Sequence, residues 1–451
     1  MPTPTSSPTP APPPSLWHAA LPPPPPPPAA LPPHADVVVL GGGLSGVWLA
    51  LALAEAGRPP LVLERAHLAA GASGRNGGLL LPGTSELYPA LVARHGRTAA
   101  RALWAWAVAG AADVVATIHR YGIDCDWRPE GALHAAVSET EAVHLRSAAA
   151  MLATDGFPGE WLGAHDIANW LDIPRPDDFC GALHLSDGGA FHSGRLVAGL
   201  AAAAASHGAT FTQGVDVRGI DRHHGDHPLV VHTDRGPTTA EVVVVATNAW
   251  LPELLPHLGD VVVPVRGQVL ATAPLSRRAI RGGWSLNDGY EYLQQLSDGR
   301  VVFGGMRWAA PDREVGPPHI VPTVNDAIHA GLDRWLAEHF PSLAAAATVE
   351  HRWAGPMCWT ADRLPLVGAV RGQVGHRRNR AVGPSSQRLW VAGAYSGHGV
   401  PVAPAAARLI AAAMTGGAAG GAAGGDPEAG VVAAKVDPNR SLERPEGARA
   451  P

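Results

Sequence analysis

The sequence predicts an α/β fold, in which a dinucleotide-binding domain is joined to a second domain built on an antiparallel sheet. Three observations carry this. Asp36 to Leu40 is a run of β-branched and aliphatic residues followed at once by Gly41, Gly43 and Gly46, a G-x-G-x-x-G between a strand and a helix. Between Thr210 and Asn248 the pattern turns to alternating strands. Val261 to Leu275 and Tyr290 to Gly305 form a second group of strands.

In the first unit the helix runs from Leu44 to about Ala56 and stops at Gly57, and the strand Leu61 to Leu63 ends in Glu64, eighteen residues after Gly46. Gly41 permits the tight turn, Gly43 lets the backbone approach a pyrophosphate, and Gly46 lets helix and strand pack closely. The pyrophosphate is expected on the helix N-terminus, beside Leu44 and Ser45, where free N–H groups and the positive dipole end favour an anion. Glu64 is placed to accept both ribose hydroxyls and to repel a 2′-phosphate, which favours a plain adenosine dinucleotide over NADP; Arg65 follows it.

The 451 residues suffice for two domains, and 46% apolar content for a substantial core. A net charge of −5 gives no electrostatic case for nucleic acid or an acidic membrane surface. Three scattered cysteines make neither a disulfide framework nor a zinc site, and a reducing, cytoplasmic setting is expected. No run of eighteen apolar residues occurs, so no membrane span is expected. Residues 1–34, with a proline run from Pro22 to Pro28, read as a disordered or polyproline II arm, an inert tail or a docking arm for a proline-binding module. Residues 417–451 read as a disordered tail.

After the fingerprint, Thr98 to Tyr121 is one long amphipathic helix with Trp104 and Trp106 in its core. Cys125 to Ala136 and Ala182 to Leu185 are short strands, and Gly194 to Gly208 is another helix. The stretches TFTQGVDVRGIDR, LVVHTDRG and AEVVVVATNAW form a three-stranded meander. His223, His224 and His227 fall in its hairpin turn, an exposed cluster with no fixed outer shell and so not a metal site. Asn325 to Phe340 is helical and closed by Pro341. Trp353 to Val370 is extended, and Arg371, Arg377, Arg378 and Arg380 make a solvated basic loop.

At GASGRNGG, Gly71 to Gly78, the sequence resembles the D-amino-acid-oxidase-like FAD-dependent oxidoreductases, within which it is most similar to the gamma-glutamylputrescine oxidoreductases, beside the glycine and sarcosine oxidases. The resemblance continues in family order through GGAFHSGRLVAGL (Gly188 to Leu200), VVVVATNAW with PVRGQVLAT, WAGPMCWTADRLPLVG (Trp353 to Gly368) and GAYSGHGVPVAPAAARLIAA (Gly393 to Ala412). It implies a glutathione-reductase-type FAD-binding domain made of 35–122, 187–259 and 351–416, with a substrate domain of 123–186 and 260–350 whose sheet covers the flavin.

By that resemblance Ser73, Gly74, Arg75, Asn76, Gly77 and Gly78 lie along the flavin, and Val217 gives backbone contacts near the adenine. Gly397, His398, Gly399 and Val400 hold the pyrimidine end of the ring. The helix after Gly399, with Pro401 and Pro404 in its first turn, aims its positive end at charge developing on reduced flavin. Tyr292, His398 and Arg75 make the catalytic set: Tyr292 faces the flavin, and His398 either tunes it by hydrogen bonding or is structural.

Two departures narrow the chemistry. Glycine and D-amino-acid oxidases carry a carboxylate-binding arginine where this chain has Met357, which cannot form a bidentate pair. Cys358 stands four residues before Asp362, out of place for the flavin-linking cysteine of the sarcosine-oxidase branch, and the linking histidine of dimethylglycine dehydrogenases is missing. The expectation is noncovalent FAD and oxidation of an amine, gamma-glutamylputrescine-like or N-alkyl, by hydride transfer to flavin, with oxygen or an electron carrier as acceptor. Arg266 or Arg307 taking over the carboxylate anchor would instead give an amino-acid oxidase. The alternatives are an amine dehydrogenase and, in another class, a non-catalytic flavin-binding interaction protein.

Overall fold

The computed structural model describes residues 13–26, 29–222, 227–310, 314–316, 321–371, 388–416 and 427–442. His34–Leu40 is the centre of the first sheet. Leu61–Glu64 and Thr238–Val245 flank it in parallel, Thr210–Gln213 extends one side and Leu389–Gly393 the other, and Leu366–Ala369 closes that side antiparallel. The aliphatic run predicts a strand covered on both faces, and alternate residues do serve two cores. Val37 and Val39 pack with the helices Leu44–Glu55, Ser193–Ser206 and Gly399–Thr415, whereas Val38 and Leu40 pack with Leu251, Leu255 and Leu258.

The second sheet runs Val349–Trp359, Val263–Thr272, Val301–Gly305, Glu291–Gln295, Gly283–Leu286, Ala132–Ala136, Gly181–Leu185, Glu160–Gly163. It is antiparallel except where Gly283–Leu286 lies parallel to Ala132–Ala136. One face packs on the helix Asp326–His339 through Ile328, Leu332 and Leu336. The other looks toward the edge of the first sheet where the fingerprint glycines lie.

Several elements differ from the sequence expectation. The stretch from Thr210 to Asp221 is two strands. Gly214 (φ +71) breaks it, so Thr210–Gln213 joins the parallel sheet and only Val217–Asp221 pairs with Leu229–Thr233 in the hairpin. Gly283–Leu286 is a strand that the short, Gly-flanked GWSL gave no period to reveal. Pro401 sits in the first turn of Gly399–Thr415, but Pro404 lies inside the helix. His223 and His224 of the hairpin turn, and Arg377, Arg378 and Arg380, lie outside the described residues.

The arm is ordered where it is described. Leu16–Ala19 is a helical turn capped by Ser15, whose hydroxyl accepts from His18 N–H, and Trp17 is completely buried beside Trp353. Composition dominated by proline hid one Leu-Trp pair able to bury on the order of 150–250 Å². The tail is likewise ordered in part. Pro427–Val436 is a helix with Val432 and Val436 buried against the helix Arg97–Tyr121, and Arg440 grips Asp362 at 2.7 and 3.0 Å. Residues 1–12 and 443–451 lie outside the described residues.

Among the described residues Arg97–Tyr121 is the one helix long and apolar enough to cross a membrane by length and composition. Its apolar face packs on Gly399–Thr415 through Ala107, Ala111 and Val114, as a core helix does.

Candidate active site between the two sheets

Among the described residues a large cavity of about 1280 Å³ runs from the fingerprint to the second sheet, above the roughly 300–1,000 Å³ usual for small-molecule sites. At its first end Gly41 has φ +109, a conformation open to glycine. A Cβ on Gly46 would stand 1.8 Å from the Gly41 carbonyl oxygen, so only glycine lets the helix start this close to the strand. Gly41, Gly43, Leu44 and Ser45 line the cavity; Gly46 stands behind them and acts through packing alone. Glu64 lines it too. Its carboxylate accepts from Gly42 N–H at 2.6 Å and Ala66 N–H at 2.8 Å, and burial raises its pKa. Arg65 reaches the rim, paired with Glu253 at 3.1 Å and stacked on Trp250. Val217 lines the same end, the backbone there being steered by the bond from Val215 N–H to Glu64 O.

The loop Gly71–Gly78 forms the cavity's floor and joins the sheets. Ser73 Oγ accepts from Leu44 N–H at 2.8 Å. Gly74 is buried behind the floor, against His18 and Ala69. Arg75 is buried and, among the described residues, donates to the main-chain carbonyls of Ala70, Pro13 and Ala354, and burial lowers its pKa to about 10. It lines the cavity and at the same time ties the arm, the loop and the second sheet together. Asn76 braces the loop by accepting from Gly78 N–H and donating to Ser73 O. A Cβ on Gly77 would lie 2.5 Å from the Tyr292 ring, and Gln294 donates to the Gly78 carbonyl at 2.9 Å. The Gly77-Gly78 pair thus lets Glu291–Gln295 dock directly on the loop.

Tyr292 and His398 face the cavity from opposite elements. Burial pushes the Tyr292 hydroxyl up to about 12, so it stays protonated. His398, at the start of Gly399–Thr415, holds the Leu81 carbonyl through Nε2 at 2.9 Å; burial lowers its pKa to about 4 against the opposing pull of that hydrogen bond, and its charge in turn helps to lower the pKa of His134. Gly397, Gly399 and Val400 line the cavity beside it. His398 is a neutral ring at ordinary pH, so a proton on Nε2 serves Leu81 O and Nδ1 is the acceptor.

Met357 and Trp359, two apart on Val349–Trp359, line the same wall. Met357 Cε lies 3.1 Å from where a Gly267 side chain would begin, and its sulfur 3.5 Å from the same point on Gly397. Cys358, facing the other way, is a buried thiol that donates to Asn248 Oδ1 and whose pKa burial raises. Of the two arginines weighed as replacements, Arg266 is committed to Glu314 at 2.8 and 3.0 Å. Arg307 lines the cavity, 6% exposed, its guanidinium 4.8 Å from the Tyr290 ring and 5.4 Å from Trp359, and its Nε has no hydrogen-bond partner.

The sequence reading missed His18, His134 and Gln294. The first sat in the arm read as disordered. The other two stand on strands where alternation marks a face but not what the face covers.

The residues present fit an adenine dinucleotide: a side-chain-free helix start, a carboxylate held at the end of the adjoining strand, and a cavity long enough to continue to a second, aromatic-lined end. The model of the FAD dependent oxidoreductase family (DAO) matches residues 36–413. Gamma-glutamylputrescine oxidoreductase of Escherichia coli K12 is 30% identical over 391 residues, covering 84% of each chain. Glycine oxidase of Geobacillus kaustophilus is 26% identical over 389 residues, 83% of this chain and 92% of that one. The crystal structure of glycine oxidase from Geobacillus kaustophilus superposes with a TM-score of 0.71 at 22% identity, covering 91% of this chain and all of the other.

Proposed function

The chain belongs to the DAO family of FAD-dependent oxidoreductases, and from that premise we propose that it oxidises the C–N bond of an amine more complex than a simple α-amino acid, with FAD held noncovalently. The observation that carries this is Met357. It sits on the cavity wall against Gly267 and Gly397 and supplies no charge where a small amino acid would need its carboxylate paired. FAD, when bound, accepts the hydride from the carbon beside the amine nitrogen.

The protein's own part is orientation and exclusion of water. Gly41, Gly43, Leu44, Ser45 and Glu64 hold the nucleotide half, and the loop Ser73–Gly78 with Gly397–Val400 holds the flavin half. Tyr292 and Trp359 supply an apolar, aromatic wall on which an alkyl amine packs, and that wall favours the neutral amine over its ammonium form. His398, neutral and fixed on Leu81, offers an acceptor and no charge.

Anaerobic mixing with a panel of diamine-derived amines, N-alkyl amines, glycine and D-alanine tests this. The amines are expected to bleach the yellow flavin, and readmitted air then separates oxidase from dehydrogenase by the rate at which colour returns. A flavin reduced by glycine or D-alanine and left oxidised by every other amine overturns the proposal.

A further inference from the structure

We propose that Gln294, held by Arg128, is a positioning residue for the flavin: its side-chain amide fixes the loop that floors the cavity in the form that favours the reduced ring. Gln294 is fully buried on Glu291–Gln295 and stands behind the cavity without lining it. Its Nε2 donates to the carbonyls of Gly77, of Gly78 at 2.9 Å and of Phe191 at 3.3 Å, and its Oε1 accepts from the Arg128 guanidinium. A carbonyl only accepts and a guanidinium only donates, so the amide has one orientation. A carboxylate in its place would meet one of the two demands and an apolar side chain neither.

Arg128 is fixed in turn. Its guanidinium pairs with Asp126, whose carboxylate also accepts from the N–H and Oγ of Ser297 in the hairpin turn of the second sheet, and its main chain bridges Ala190 at 2.9 and 3.2 Å. The far end of this chain is the pair of glycines, the two loop residues with the widest choice of backbone conformation and no side chain to brace them. Gly78 has φ +71, and a Cβ there would stand 2.2 Å from Gln294 Nε2.

The direction of the peptides sets the consequence. Ser15 Oγ donates to Gly74 O at 2.5 Å, Trp353 Nε1 to Arg75 O at 3.0 Å, Trp17 Nε1 to Asn76 O at 2.7 Å, and Gln294 to Gly77 O and Gly78 O. None of these donors lines the cavity, so the carbonyls of the loop are held from behind. The N–H of a trans peptide points opposite to its C=O, and no peptide here is cis. The N–H groups of Arg75 and Gly78 are spent on Ala72 O and Asn76 Oδ1. Those of Asn76 and Gly77 have no hydrogen-bond partner among the described residues, and both residues line the cavity. Two neighbouring free N–H groups favour negative charge, which the ring gains on reduction.

The test reads the flavin midpoint potential of the FAD-loaded full chain, reduced stepwise with dithionite beside a reference dye; it needs no substrate, so it stands apart from the amine reading. Gln294→Met keeps the bulk and removes the amide, and its potential should fall by about 30 mV or more, the equivalent of a tenfold loss of preference for the reduced form in a two-electron couple. Arg128→Met should lower the potential by less, and Arg128→Lys, which keeps a donor for Oε1, should restore most of it. Because Arg128 acts through Gln294, adding Arg128→Met to Gln294→Met should lower the potential no further. Thermal unfolding separates positioning from plain support. A Gln294→Met protein that melts lower and keeps the wild-type potential, or shows a raised one, overturns the inference, and shifts that add in the double variant overturn the part given to Arg128. Should Gln294→Met fail to fold or to retain FAD, Arg128→Met decides by the same measure: a lowered potential upholds the inference and an unchanged one overturns it.

Discussion

The indole Nε1 of Trp17 donates to the main-chain carbonyl of Asn76 at 2.7 Å, so a residue of the proline-rich arm holds the loop that floors the cavity. Trp17 also packs edge-on against His192 and Trp353, and one turn of helix brings His18 onto the Ala69 carbonyl at 2.8 Å. Trp17→Ala is expected to cost about 3–5 kcal/mol of stability and to lower flavin content, because Asn76 and Gly77 lose their support. Thermal unfolding and the ratio of flavin to protein absorbance measure both. A variant with wild-type melting temperature and full flavin would show that the arm merely rests on the fold.

Gly43→Val is expected to abolish flavin retention. A Cβ at Gly43 begins 2.9 Å from Ser73 Oγ, the acceptor for Leu44 N–H, and a branched side chain fills the face where the pyrophosphate meets the backbone. The protein should still fold, since the displaced atom is a hydroxyl and not the main chain. Purification of a yellow variant with normal flavin content refutes this.

The parallel half of the fold was legible because its signals are local. A strand covered on both faces, three glycines and a terminal carboxylate stand within thirty residues, and Val37–Leu40 and Glu64 lie where that pattern puts them. The second sheet was legible only in its long alternating strands. Gly283–Leu286 has four residues and no period, and its parallel pairing with Ala132–Ala136 joins segments some 150 positions apart, a contact no window of sequence contains. Arg75 shows the same limit at the site. Motif order placed it by the cavity, which it lines, but its partners Pro13 and Ala354 stand 62 and 279 positions away, beyond any motif. Arg307 carries no motif at all; what sets it apart is burial on the cavity wall against the Tyr290 and Trp359 rings.

Acid precipitation of the purified protein should leave yellow supernatant over a colourless pellet. Cys358 is the thiol closest in sequence to the position where a flavin link occurs in the sarcosine-oxidase branch, and it points away from the cavity toward Asn248 with its pKa raised by burial, which disfavours the thiolate a link would need. Colour that remains with the denatured chain would mean a covalent bond.

His192 predicts an acid sensitivity with a definite sign. Burial lowers its pKa to about 4, and neutral Nδ1 accepts from Arg195 N–H at 3.2 Å as the cap of Ser193–Ser206. The unfolded chain, with an ordinary value near 6.5, binds more protons between those limits. Stability therefore falls as pH drops from about 6.5 toward 4 and is level above pH 7. His192→Asn keeps a capping acceptor and removes the titration, so the fall in melting temperature between pH 7 and pH 5 should be smaller in the variant. An equal fall in both proteins would assign the sensitivity to the other histidines that burial holds near 4, His18, His134, His329 and His398.

Met357→Arg is the gain-of-function counterpart of the proposed substrate class. The new guanidinium would enter the reacting end beside Gly267 and Gly397, where the absence of side chains leaves it room, and within reach of a carboxylate one bond from the oxidised carbon. Pairing a buried carboxylate is worth about 2–5 kcal/mol when the partner is truncated, and part of that is lost here because Arg307 and Arg363 repel a third cation on the same wall. The ratio of kcat/KM for glycine or sarcosine to that for a long-chain amine should rise by roughly tenfold or more, with the change seen mostly in KM, and the long-chain amine should suffer from the narrowed passage past Tyr292. Steady-state kinetics of the two enzymes on both substrate groups settle it: a ratio that does not move shows that Met357 is remote from the substrate's carboxylate and removes the observation on which the amine reading stands.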